Sequence, residues 1–453
     1  WDGWNTDPYL SIGDPYYHDM AFYDLKIAVG KSFIVAATGE LISKIELTST
    51  TIYHFRPKFP VREVVFSASK YFIIDSEMVN EVNVSTYYLP FVSALWTNNA
   101  LDACKKALKF FNDSFGSYPY TTLNVIFTYG WYGGMEYPCQ VLITETESQN
   151  YLEHVIAHEV GHQWWYQLVG NDEIDWGFLD EGLTVWSTDY YSSHYHPEWN
   201  VFEEYWAFEY ASTYYLSTGN PSKINQSIYE CYVTGTDYWY IAYDKTPAIL
   251  EKLRQRIGHE DFLASVQLFF ERFQWKIALL TDLQQAFEDT LGYDLDWYFL
   301  PWFDNSYLPT YAFEGAQYDK QQQILIITVI DNNGGSHTYP YAQELPLLIY
   351  DDNGFVIENQ TVWLNGSITT LTFTLSQQPA VVELLFTGNV LVQRSEGVTK
   401  IFRSINGAEF ILGTDFGSLS IFALSGLILI FLKRKKIKRN ETFKKNSAPQ
   451  LKY

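Results

Sequence analysis

Sulfur is scarce in this chain of 453 residues, with three cysteines and three methionines. Three cysteines exclude a disulfide scaffold, and the spacing of Cys104, Cys139 and Cys231 selects no pair. Positive charge is also scarce. Thirty Lys and Arg stand against 53 Asp and Glu, a formal net charge of −23. A field of that sign repels nucleic acid and could draw in cationic peptides. There is no internal repeat and no low-complexity run, so a solenoid or a disordered tract is not expected.

What is present is a set of local patterns. "IAHEVGHQWW", Ile156–Trp165, holds His158, Glu159 and His162 in the spacing H-E-x-x-H. Its surroundings read as a helix. Asn150 with Glu153 suggests an N-terminal cap pair, and Leu152, Val155, Ile156, Val160 and Trp164 give the apolar periodicity. Gly170-Asn171 suggests a stop. On a helix, residues i and i+4 share a face, so the two imidazoles point to one spot. Neutral imidazole suits zinc, and Glu159 stands where a general base would reach a water at the metal.

A third ligand is needed. His154 lies on the same face, but three histidines in line rarely wrap one ion. It reads as an outer-layer or surface residue. His194 and His196, in "SSHYHPEW", read as loop residues. Glu181, in "WGFLDEGLTVW", follows His162 with eighteen residues between, enough for a loop and a second helix running back. Two imidazoles, one carboxylate and an open position describe a catalytic zinc site.

These residues resemble the zinc aminopeptidases of the aminopeptidase N and leukotriene hydrolase family. Two more segments carry the likeness. "GGMEYP", Gly133–Pro138, is similar to that family's Gly-x-Met-Glu-Asn element, with Tyr137 in place of the Asn. "YDKTPAILEKLRQRIG", from Tyr243, is similar to its tyrosine segment, with Thr246-Pro247 in place of a Gly-Ala pair. The resemblance covers the chain from "GDPYYHDMAFYDLKIAV" to about Phe386. It implies one zinc per chain on His158, His162 and Glu181, with Glu159 as general base. It implies Tyr243, one of thirty-six tyrosines, as oxyanion donor. It further implies that Glu136 binds the free α-ammonium of a peptide and that Gly133, Gly134 and Met135 line the substrate.

The implied fold is α+β and multidomain. Residues 1–84, alternating like strands, read as the last part of an N-terminal β-domain. Residues 85–308 read as a mostly helical thermolysin-like zinc peptidase domain. Residues 309–392, with strands separated by Asn-Gly, Gly-Gly and Pro turns, read as a β-sandwich. Residues 393–415 read as a linker. Phe416–Leu432 carries no charge and precedes "KRKKIKR", which predicts one transmembrane helix. The tail, 433–453, holds nine basic residues against one acid, Glu441, which places it in the cytoplasm and the catalytic part outside the plasma membrane. Because the chain opens at Trp1, inside the expected β-domain, a longer parent protein is expected. The expected partners are peptides with a free N-terminus and membrane lipid, not nucleic acid; the oligomeric state is left open. Two other functions compete: a zinc hydrolase of this fold acting on another substrate such as an epoxide, and a catalytically silent binding protein.

Overall fold

The structure is a computed structural model that describes residues 9–14, 17–130, 133–202, 211, 222–332, 335, 337–386, 392, 398–405 and 408–414. For 398–405 and 408–414 only the backbone is described.

Alternation of apolar and polar residues builds the N-terminal part. Strand β4 (Thr50–Arg56) buries Thr51, Tyr53 and Phe55 on one face. It lies between β1 (Leu25–Gly30) and β3 (Glu40–Glu46), all antiparallel. Strands β2 (Ile34–Ala37) and β5 (Phe66–Ser69) form a separate pair. Ile27, Val35, Ala37, Tyr53 and Phe55 make a small core between them.

A five-stranded sheet, in the order β6-β7-β8-β10-β9, floors the mostly helical part. These strands are β6 (Ile73–Val79), β7 (Val82–Tyr88), β8 (Thr122–Phe127), β9 (Gly134–Met135) and β10 (Gln140–Ile143). Strand β8 runs parallel to β7 and β10, and β9 is an antiparallel edge. The domain boundary read at 84 therefore falls inside β7. The β6–β7 hairpin belongs to the catalytic sheet, because strand alternation alone does not say which sheet a hairpin joins.

Eight α-helices are described. Helix α1 (Ala94–Ser114) is capped by Ser93, whose hydroxyl accepts from Trp96 N at 3.4 Å. Its buried stripe, including Trp96, Ala100, Cys104, Ala107 and Phe111, covers α2 (Gln149–Gly161). Helix α3 (Glu173–Tyr195) follows, and then α4 (Ile228–Thr234). A π-helical turn, Tyr240–Lys245, runs straight into α5 (Thr246–Ile257). Helices α6 (His259–Phe273), α7 (Leu280–Leu291) and α8 (Asp296–Asp304) complete the set. The two-residue strands β11 (Val169–Gly170) and β12 (Lys276–Ile277) pair in parallel.

The C-terminal part is two sheets on one core. Strands β13 (Tyr311–Asp319), β14 (Ile324–Asp331) and β17 (Ile368–Thr374) form the first. The second has the order β16 (Val356–Asn365), β15 (Ala342–Tyr350), β18 (Val381–Leu384), β19 (Val398–Ile405), β20 (Ala408–Thr414). Leu325, Ile327 and Val329 from one sheet share a core with Leu345, Leu347, Ile349 and Val382 from the other. The expected sandwich is present. The interval read as a linker, 393–415, is corrected: β19 extends the sheet from β18, and β20 pairs with β19. "VTKIFRSI" mixes charged and apolar residues without strict alternation, and so reads like a connector.

Phe416–Leu432 and the basic tail lie outside the described residues. Among the described residues no helix is long and apolar enough to cross a membrane. The three cysteines are buried and unpaired with one another.

Candidate active site

Helix α2 is buried along its whole length from Leu152 to Gly161. Its cap is Ser148, whose hydroxyl accepts from Tyr151 N at 3.3 Å, not the Asn150–Glu153 pair. It also ends earlier than the sequence suggests. His162 is the C-cap, and Gly170 belongs to β11. A short run of tight turns replaces the last helical stretch, with Gln163 N bonded to Val160 O and Trp164 N to Gly161 O.

Helix α3 starts at Asp172, which accepts from Ile174 N and Asp175 N. It kinks at Trp176, whose backbone leaves the helical region, and then runs unbroken past Glu181. Its length corrects two sequence readings. His194 lies in its last turn and His196 caps it, so neither is a loop ligand. His154, read as an outer-layer or surface residue, is buried, and burial pushes its imidazole down to about 3.

The kink and the α2 terminus bring three donor atoms together. His158 Nε2 and His162 Nε2 stand 3.1 Å apart, and each lies 3.3 Å from Glu181 Oε2. Ligands held about 2.0–2.2 Å from one tetrahedral ion would lie about 3.3–3.6 Å from one another. Glu181 Oε2 is buried and has no hydrogen-bond partner, the condition of an atom kept for a cation. The other imidazole nitrogen of His162 lies 3.1 Å from Trp165 O and 3.2 Å from Thr184 Oγ1. Donation from Nδ1 to that carbonyl leaves Nε2 as a lone pair facing Glu181. The donor set therefore fits zinc.

The charges follow from burial and proximity. Burial alone would raise the Glu181 carboxyl, but His162 and His158 outweigh it and hold it below the ordinary carboxylate range. Burial likewise opposes charge on His162, yet Glu181 and Glu136 hold its imidazole well above the ordinary value. For His158 burial prevails against Glu181 and lowers it.

Glu159 points to the other side of this cluster. It is buried, and burial, then the Glu136 charge, pushes its carboxyl well up. Carboxylate oxygens of Glu136 and Glu159 lie within 4.8 Å of a His162 nitrogen and of each other. Glu136 Oε1 is buried without a partner, and burial raises this carboxyl too. Gly134 explains why a glycine stands on the edge strand. A Cβ there would come within 2.3 Å of Glu159 Oε1. Gly133 has φ +85, a left-handed conformation that favours glycine, and its carbonyl accepts from Thr144 N and Oγ1, both at 2.9 Å. Met135 pairs with Leu142 across β10.

Tyr243 arrives on the π-helical turn. Its ring lies 6.1 Å from that of His158, and its hydroxyl donates to Glu181 Oε1. The sequence-predicted oxyanion donor thus sits at the site and is held by a predicted metal ligand. Thr246 is the first residue of α5, and its hydroxyl donates to Ile241 O at 2.8 Å.

Several contributors were not found from sequence. Gln163 donates from Nε2 to Glu136 O at 3.1 Å and Tyr137 O at 3.3 Å, and its Oε1 accepts from Cys139 N at 2.9 Å. It ties the Glu136 segment to the end of the histidine helix; its place directly after His162 was the available signal. Arg62 is fully buried. It reaches from the N-terminal part, pairs with Glu173, and donates to Asn171 O at 2.8 Å and Tyr166 O at 3.4 Å. Asp14 adds to the acidic field: burial pushes its carboxyl well up, and Glu136 and Glu181 push the same way. Nothing in the sequence near Arg62 or Asp14 marked either one.

Comparison with known proteins agrees with this geometry. Residues 99–302 match the model of the peptidase family M1 domain. The alanine/arginine aminopeptidase of Saccharomyces cerevisiae is 25% identical over 220 residues, 43% of this chain and 24% of that one. Aminopeptidase 2, mitochondrial, of the same yeast is 24% identical over 259 residues, 54% of this chain and 27% of that one. The chain thus spans about a quarter of the length of these relatives. Among solved structures, Legionella pneumophila aminopeptidase A in complex with aspartic acid superposes with a TM-score of 0.66 at 17% identity. That match covers 83% of this chain and 45% of that one, and shows a shared fold. The matched stretch, 99–302, contains His158, His162 and Glu181, and peptidase family M1 is a family of metallopeptidases.

Proposed function

We propose that this chain is a zinc-dependent aminopeptidase that removes N-terminal residues from peptides. The observation that carries the reading is the convergence of His158, His162 and Glu181, flanked by Glu159 and an unpartnered Glu136. Zinc held by the first three would polarise the scissile carbonyl and activate water. Glu159 takes a proton from the attacking water and delivers it to the leaving amine. Its raised carboxyl suits a group that must both accept and release a proton. Glu136 offers a buried anion to the α-ammonium, which fixes the cut one residue in. The Gly133-Gly134 backbone lets the peptide lie close to Glu159. The Tyr243 hydroxyl, turning from Glu181 Oε1, donates to the developing oxyanion.

Phe416–Leu432, with its basic flank, anchors this activity in the plasma membrane with the catalytic part outside. Chelation followed by zinc re-addition tests the central reading. Release of a free N-terminal amino acid should stop and then return, with about one zinc bound per chain. Full activity in demonstrably zinc-free protein would overturn it.

A further inference from the structure

Helix α5 continues beyond the catalytic cluster to the sandwich. Near its end Arg256 pairs with Glu344 of β15 at 2.7 Å and lies 4.6 Å over the Trp363 ring of β16. Between helix and sheet is a cavity of about 200 Å³, lined by Lys252, Arg256, Trp297, Glu344 and Trp363 among others. Water takes about 30 Å³ of liquid volume, so the space holds a few waters or one small molecule.

Lys252 is the unexplained residue. It is 8% exposed, and its ammonium lies 5.5 Å over the Trp302 ring. Glu344, the one carboxylate among the described residues lining the cavity, is engaged by Arg256 instead. Burial pushes the Lys252 amine down to about 8, with Glu344 opposing. A buried cation without an ion-pair partner is costly, and an anion in the cavity relieves that cost. Two cations and one acid line the space, which matches a single negative charge. One side of it is aromatic: Trp297 and Trp363 stand edge to face, 5.6 Å apart.

We propose that this cavity binds a small organic monocarboxylate, its anion on Lys252 and its apolar body against Trp297 and Trp363. The site lies where the catalytic part meets the sandwich, and it does not depend on the peptidase reading. Titration calorimetry of the full chain with sodium benzoate, at constant ionic strength, tests it. Benzoate should bind saturably, and benzamide and chloride at least tenfold more weakly. Lys252→Met removes the buried charge and should weaken benzoate at least tenfold without lowering the melting temperature. Glu344→Gln, which removes the competing acid, should tighten benzoate severalfold and keeps the test decisive if Lys252→Met does not fold. Absence of saturable binding up to about 20 mM benzoate would overturn the proposal. So would equal binding of benzamide or chloride, or an affinity unchanged in both variants.

Discussion

Arg62→Met removes a charge from the protein's interior and should destabilise it strongly. Arg62 is fully buried and its partner Glu173 is 2% exposed. The guanidinium also donates to the carbonyls of His18 at 3.1 Å, Tyr166 at 3.4 Å and Asn171 at 2.8 Å. Removing one member of a buried pair strands the other, at a cost of about 3–5 kcal/mol. Each kcal/mol lowers the melting temperature of a unit of this size by roughly 2–4 °C. The expected drop is therefore roughly 6–20 °C, read by scanning calorimetry of the catalytic transition. Most of the loss comes from the stranded Glu173 charge, so Arg62→Met/Glu173→Gln should recover part of it. Apart from His18, the contacts fall on residues 166–173, which lead from His162 into the start of the helix that carries Glu181. Chelator competition should accordingly show weaker zinc binding in the single variant. A melting temperature within two degrees or so of wild type would refute the reasoning, as would a double variant no more stable than the single one.

Three further predictions concern the chemistry. Glu159→Gln should keep zinc, by metal analysis, and lose about 10²–10⁴-fold in kcat, since the base is gone and the shape is not. The acidic limb of the wild-type kcat/KM profile should lie above the ordinary glutamate range: the raised Glu159 carboxyl is ionised only above its folded value, so activity falls as pH drops through it. Gly134→Ala should leave fold and zinc content intact yet lower kcat about a hundredfold, because the new Cβ displaces the Glu159 carboxylate, which it would meet at 2.3 Å. Tyr243→Phe should lower kcat roughly 10²–10³-fold with little change in KM, and steady-state kinetics on one peptide separates the two effects.

The cluster of His158, His162 and Glu181 was legible because its geometry is written locally. His158 and His162 share a helical face by spacing alone, and Glu181 follows one loop later. The strands of the sandwich were legible through alternation and turn residues. What was not legible depends on distant contacts. Arg62 meets its partners more than a hundred positions along the chain, and no local pattern marks it. The cap of α2 moved from Asn150 to Ser148 because either residue type can cap, and the three-dimensional path of the chain decides. The π-helical turn before α5 depends on packing that places Tyr243 over His158. Strands β19 and β20 were missed because their pattern is mixed; β19 pairs with β18 and β20 with β19.

The most direct test of the central claim compares a peptide with its N-acetylated twin, using the zinc-loaded full chain. Glu136 is a buried carboxylate with an unpartnered oxygen close to Glu159. A free α-ammonium satisfies it, whereas an acetyl group leaves it desolvated and unpaired. The account predicts cleavage of the free-amine peptide one residue at a time, very poor cleavage of the acetylated one, and a smaller ratio in Glu136→Ala with zinc retained. Equal wild-type rates on the two peptides would contradict the aminopeptidase assignment.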